Sequence, residues 1–185
     1  MCELEDEEMS EILEVRALPG YPDEIGRWLW AMEELRRRTL ELVEDLDQAT
    51  LDWEGQDGQD NSIGSLLYHI ALVEMSWLYY DLLRQEFPHE VQVDFPLDMG
   101  SSKAGLTRVP NVSLQEHLAR LARSRSVFLD EFRRMTLDDW RRLSSPEGED
   151  YEVTPEWVVF HLVEHEAGHA FQISSTIRRA KRFLR

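Results

Sequence analysis

TPEWVVFHLVEHEAGHAFQISSTIRRA, residues 154–180, is the stretch from which the fold can be read. Thr154 suits a helix N-cap, and Pro155 suits the first helical position, where its missing N–H is no loss. Val158, Leu162 and Ile173 recur near helical spacing, and the closing cations suit the negative end of a helix dipole. One long helix is predicted, reaching about Ala180. It carries His161, His165 and His169. Steps of four residues turn a helix by about 400°, so these three lie along one slowly drifting, inward-facing stripe.

Three more helices are predicted ahead of it in the chain. Ser113-Leu114-Gln115-Glu116 reads as a capping box opening a helix striped by Leu114, Leu118, Leu121, Phe128 and Phe132. Ser62 can cap a helix from Ile63 to about Glu86, before Pro88 stops it. That helix is apolar over much of its circumference, so it should be central or also face a second subunit. The first helix is predicted from about Pro22 to Asp47, with Ile25, Trp28, Leu29, Met32, Leu35, Leu42, Val43 and Leu46 close to helical spacing. Within it, Arg36-Arg37-Arg38 lies between acidic residues and reads as a solvated face.

Asp52–Asp60 reads as a loop, and Phe87–Val112, with its prolines and glycines, as a long irregular connection. That connection lets two consecutive long helices lie parallel, or it covers a site. Thr136–Trp140 reads as a short capped turn. With no alternating strand or repeat, the expectation is all-α: a four-helix bundle with one long crossover.

The net charge of −17 disfavours nucleic acid and anionic membrane surfaces as partners. Residues 1–14 hold seven acidic and no basic side chains, so residues 1–18 read as a loosely ordered acidic leader before a domain over 19–185. That start is unlike a signal peptide, and no apolar run approaches the roughly 18 residues of a membrane span. Cys2 is the single cysteine, which excludes an internal disulfide or a thiolate metal cluster. A soluble, cytoplasmic protein is expected.

Neutral imidazoles at i and i+4 can each aim a nitrogen at one ion. His161 and His169 are about 12 Å apart along the axis, too far to share one. An adjacent pair is therefore the unit, either His161/His165 or His165/His169. A lone buried histidine is more often a hydrogen-bonded core residue. Three at this spacing, with His69 on the most apolar helix, favour a metal site built between facing helices. His165-Glu166-Ala167-Gly168-His169 also matches the H-E-x-x-H zinc helix of metalloproteases, in which Glu166 would be the base. No Asp, Glu or His follows His169 to supply the usual downstream ligand, so a protease is disfavoured.

Asn61-Ser62-Ile63-Gly64-Ser65-Leu66-Leu67-Tyr68-His69-Ile70-Ala71, followed by Glu74 and Trp77, resembles the second helix of the DinB/YfiT-like family. His165-Glu166-Ala167-Gly168-His169-Ala170-Phe171-Gln172-Ile173 is similar to that family's closing HExxHxxQI pattern, and the resemblance spans roughly Tyr21 to Ile177. It implies His69 as the ligand from the second helix and His165 with His169 as the pair from the fourth. It also implies an up-down-down-up bundle, a divalent ion (zinc, nickel, manganese or iron) and a homodimer. Some relatives transfer a low-molecular-weight thiol such as bacillithiol, mycothiol or glutathione to an electrophile. His161 is not among the implied ligands, and Gly168 stands where relatives tend to carry a bulkier residue.

The leading expectation is a metal-dependent thiol S-transferase or hydrolase acting on a small-molecule substrate. Glu74, Glu166 and His161 are the candidates for orienting a ligand or moving a proton. A non-enzymatic metal-binding or stress-response interaction module is the alternative. A helical dimer with structural histidines and no metal is the third.

Overall fold

The structure, a computed structural model, describes residues 12–101, 105–146 and 148–184. Most of the acidic leader, residues 1–11, falls outside them. Helix α1 (Asp23–Val43) starts after Pro22, with Asp23 and Glu24 in its first turn, where carboxylates favour the helix dipole. It stops short of Asp47 because that residue caps another helix, α2 (Gln48–Leu51), by accepting from the Thr50 amide at 2.8 Å.

Helix α3 (Ile63–Ser76) opens on Ser62, whose hydroxyl accepts from the Ser65 amide at 3.2 Å. The same helix then widens into π-helical turns over Trp77–Leu83 and ends at Arg84, which is left-handed with φ 54°. The connection after Phe87 is more structured than its composition suggests. It contains α4 (His89–Asp94) and two short antiparallel strands, β1 (Gly100–Ser101) and β2 (Gly105–Leu106), with Gly100 opposite Leu106.

Helix α5 (Leu114–Phe132) is capped by Ser113, which accepts from the Glu116 amide at 3.2 Å. Only that half of the expected capping box is present among the contacts of the described residues. The full box occurs instead at α6 (Leu137–Trp140), between Thr136 and Asp139. Helix α7 (Pro155–Phe183) begins at Thr154, which accepts from the Trp157 amide at 3.1 Å.

The chain is thus mostly helical. Helix α1 packs along α7, α3 along α5, and α3 also meets α7, while α1 touches α5 more lightly. Leu29, Leu67, Ile70, Phe128, Val158 and Ile173 are among the fully or almost fully enclosed core side chains. Each such side chain contributes about 1.5–3 kcal/mol relative to exposure. No described helix is long and apolar enough to cross a membrane.

In the middle of this core lies a charge network to which each long helix gives one member. Arg36 of α1 donates to Glu74 of α3 at 2.8 Å and to Glu166 of α7 at 2.8 Å. Arg125 of α5 donates to Glu74 at 2.8 Å and to Glu166 at 3.3 Å. Two guanidiniums face two carboxylates, so the buried charge is balanced. Burial alone would raise the Glu74 carboxyl; Arg125 and then Arg36 outweigh it and hold it below the usual carboxylate range.

This corrects the reading of the Arg36-Arg37-Arg38 run. Arg37 and Arg38 are exposed and pair with Glu34, but Arg36 is buried. The spacing held the clue: Ile25, Leu29, Met32, Arg36, Thr39 and Val43 step by four and three, so Arg36 occupies a stripe position. Arg125 does the same between Leu121 and Phe128.

Candidate metal centre

His69 projects from α3 toward α7, where His165 and His169 stand one turn apart. His165 Nε2 lies 3.1 Å from His69 Nε2 and 3.0 Å from His169 Nε2. One nitrogen from each of the three rings falls within 4.8 Å of the others, so the group could hold a metal ion. Three nitrogens at tetrahedral zinc distances would sit about 3.3 Å from one another, close to the spacing present. His165/His169 is therefore the adjacent pair that shares a focus with His69.

The rings are also in the chemical form a cation needs. Burial first, then His169 and His69, push His165 down to about 3. Burial and His169 lower His69 to about 4. His169 is lowered as well, mainly by burial, against the opposing hydrogen bond it makes to Gln172. Neutral imidazoles present lone pairs, and only that form ligates a metal. Gln172 Oε1 lies 3.2 Å from His169 Nδ1, so it accepts the proton there and leaves Nε2 free to coordinate. His69 Nδ1 is buried with no partner among the described residues.

His161 lies outside this focus. Its ring stacks on Trp157 at 5.1 Å and 5° and stands 6.0 Å from the His165 ring. The stripe of three histidines is therefore divided, two at the focus and one on aromatic packing. Glu74 and Glu166 are not at the focus either, since both are committed to Arg36 and Arg125. Neighbours on a helix point about 100° apart, which lets Glu166 face the core while His165 faces α3. With both oxygens held by guanidiniums, Glu166 is not placed to act as the base of a zinc protease.

A cleft of about 540 Å³ opens beside the histidines, with His69 and His165 in its wall. Trp77, Tyr80, Asp81, Tyr151 and His161 also line it. The Tyr151 hydroxyl donates to Asp81 Oδ1 at 2.6 Å. Burial is the main cause that raises Asp81, opposed by this hydrogen bond. Sequence reasoning missed Asp81 and Tyr151 as site residues. They lie 70 residues apart in chain positions with no shared motif. The one available signal was that Asp81 is a carboxylate on the largely apolar second helix, a trait it shares with Glu74. Gly168, by contrast, faces open space, with nothing within 4 Å of an added Cβ.

The sequence model of the DinB superfamily matches residues 31–173, a span that contains all three converging histidines. No curated protein matches the chain.

Proposed function

We propose that this chain, which belongs to the DinB superfamily, holds one divalent metal ion on His69, His165 and His169 and uses it in small-molecule chemistry. The observation that carries this is the meeting of three neutral imidazole nitrogens, with Nε2 separations of 3.0 and 3.1 Å. A divalent ion held on three imidazoles would keep a position for solvent or substrate and would lower the pKa of a water or thiol there. The residues do the rest. Gln172 fixes the His169 tautomer, and Trp77 and His161 form the aromatic side of the cleft. No carboxylate of the chain is needed as a ligand.

The reading extends to a four-helix bundle in an up-down-down-up course. Trp28 meets Phe160 and Arg36 meets Glu166, in the same order along α1 and α7. A Cβ at Gly64 would come within 3.1 Å of His117, and Glu74 meets Arg125, again in the same order along α3 and α5. His69 meets His165 while the later Trp77 meets the earlier Trp157, which suits antiparallel α3 and α7. The long connection after Phe87 is what two successive parallel helices require. A homodimer is consistent with Phe160 and Phe171 on α7, 44% and 72% exposed.

Thiol S-transfer is the proposed reaction, with hydrolysis of a small ester as its sibling chemistry. In the transfer, sulfur forms a bond to an electrophilic carbon, the carbon–halogen bond breaks, and the thiol proton goes to solvent. The test compares metal-loaded and metal-stripped full-length protein with several low-molecular-weight thiols and a chloro-dinitrobenzene. Conjugation should depend on metal and vanish in His69→Ala and His165→Ala. Absence of any metal-dependent turnover, with thiols or esters, would leave metal sequestration as the better account.

A further inference from the structure

Next to the histidine focus, the cleft has a composition that metal binding does not explain. Its lining is rich in rings: the Trp77 ring lies 6.1 Å from Tyr151 and 4.9 Å from His161. Tyr80 adds another ring to the lining. Two carboxylates, Asp81 and Glu149, also line the cleft, and no Lys or Arg lines it among the described residues. Asp81 is 8% exposed, and among the described residues its side chain makes one hydrogen bond, from Tyr151, and no ion pair. This carboxylate faces the cleft with no guanidinium on it, in contrast to Glu74 and Glu166, which each have two.

Aromatic faces beside a carboxylate are the chemistry that recognises an ammonium group. The ring quadrupole attracts a cation held over its face, and more strongly where water is excluded. We infer that the Trp77–Tyr151–Asp81 wall is a subsite for a small organic cation, an amine or quaternary ammonium, carried by the substrate. This rests on the metal reading for one point alone, that the cleft is where substrate lies. A molecule with an ammonium at one end and a thiol or other metal-seeking donor at the other would bridge the wall and the histidines. An anionic co-substrate of similar size would face Asp81 and Glu149 with no cation to offset them.

Tetramethylammonium tests the wall without engaging the histidines, and tert-butanol is its neutral counterpart of nearly the same shape. Full-length protein, both metal-stripped and zinc-loaded, is titrated with each at matched ionic strength and followed by NMR. Saturable binding of tetramethylammonium is expected, roughly tenfold tighter than tert-butanol, in line with the strength of cation–π contacts. Asp81→Asn keeps an acceptor for Tyr151 and should remove most of that preference without lowering the melting temperature. His165→Ala, which abolishes the proposed metal site, should leave it intact. Equal binding of the two probes, or a preference unchanged in both Asp81→Asn and Trp77→Leu, would overturn the inference. Zinc content, measured on the same samples, reports separately on the metal reading.

Discussion

Arg36 Nε lies 2.8 Å from Glu166 Oε1, and Glu166 is the chain neighbour of His165. The contact joins α1 to α7 one residue from the histidine focus, with both side chains almost fully buried at 6% and 4% exposure. The network therefore fixes the azimuth of α7, and with it the direction of His165. Removing one member of such a network leaves an uncompensated buried charge. Arg36→Met should cost about 3–5 kcal/mol in urea denaturation. Replacing Arg36, Glu74, Arg125 and Glu166 together with apolar residues of similar volume should cost far less. Equal losses in the single and the fourfold variant would contradict this account of the core.

Glu166→Gln separates a structural from a catalytic role for that carboxylate. Lower stability is expected, with metal stoichiometry retained and the pH profile of any turnover unmoved. A shifted acidic limb in that profile would return Glu166 to the chemistry.

Acid should destabilise the metal-free protein through its histidines. His69 and His117 are lowered to about 4 and His165 to about 3, each chiefly by burial. Below the ordinary histidine value of about 6.5 the unfolded chain binds more protons than the folded one. Stability is then complete above that value and falls as pH drops toward the folded values. Asp81, raised by burial, acts in the opposite sense, and Glu74 acts below the ordinary carboxylate range. Urea midpoints between pH 7 and pH 4 should decline, and His117→Asn should shallow the slope. A flat profile would mean that these rings are not buried neutral.

Two helical glycines should respond oppositely to alanine. Gly168 faces open space, so Gly168→Ala should stabilise by about 1 kcal/mol, the helix-propensity difference, with metal binding kept. At Gly64 a Cβ would sit 3.1 Å from His117 Nε2, inside a well-packed contact. Gly64→Ala should lower the melting temperature despite its better propensity.

Much of this was legible in the sequence, for local reasons. Ser62, Ser113 and Thr154 announced their helices because a cap is a contact between residues three apart. His165 and His169 declared a shared face by the same short-range logic. The burial of Arg36 was hidden because its partners lie 38 and 130 residues away, and its charged neighbours drew it into a solvated reading. Asp47 misled in the other direction, since a cap for α2 also ends α1. The Asp81–Tyr151 contact had no local signal at all. Glu74 and Glu166 looked available for catalysis until the guanidiniums that engage them came into view.

The division of the histidine stripe gives its own prediction. His161→Phe preserves the stack on Trp157 and should leave metal affinity unchanged, whereas His69→Ala should abolish high-affinity binding although it lies 96 residues from His165. Calorimetric zinc titration of the two variants checks the contrast.

The most direct measurement is the metal content of tag-free full-length protein after dialysis, beside His165→Ala treated identically. The account predicts about one divalent ion per chain in the parent, as one converging set of three imidazoles implies, and close to none in the variant. A ratio near zero in both, or an equal ratio in both, would contradict it.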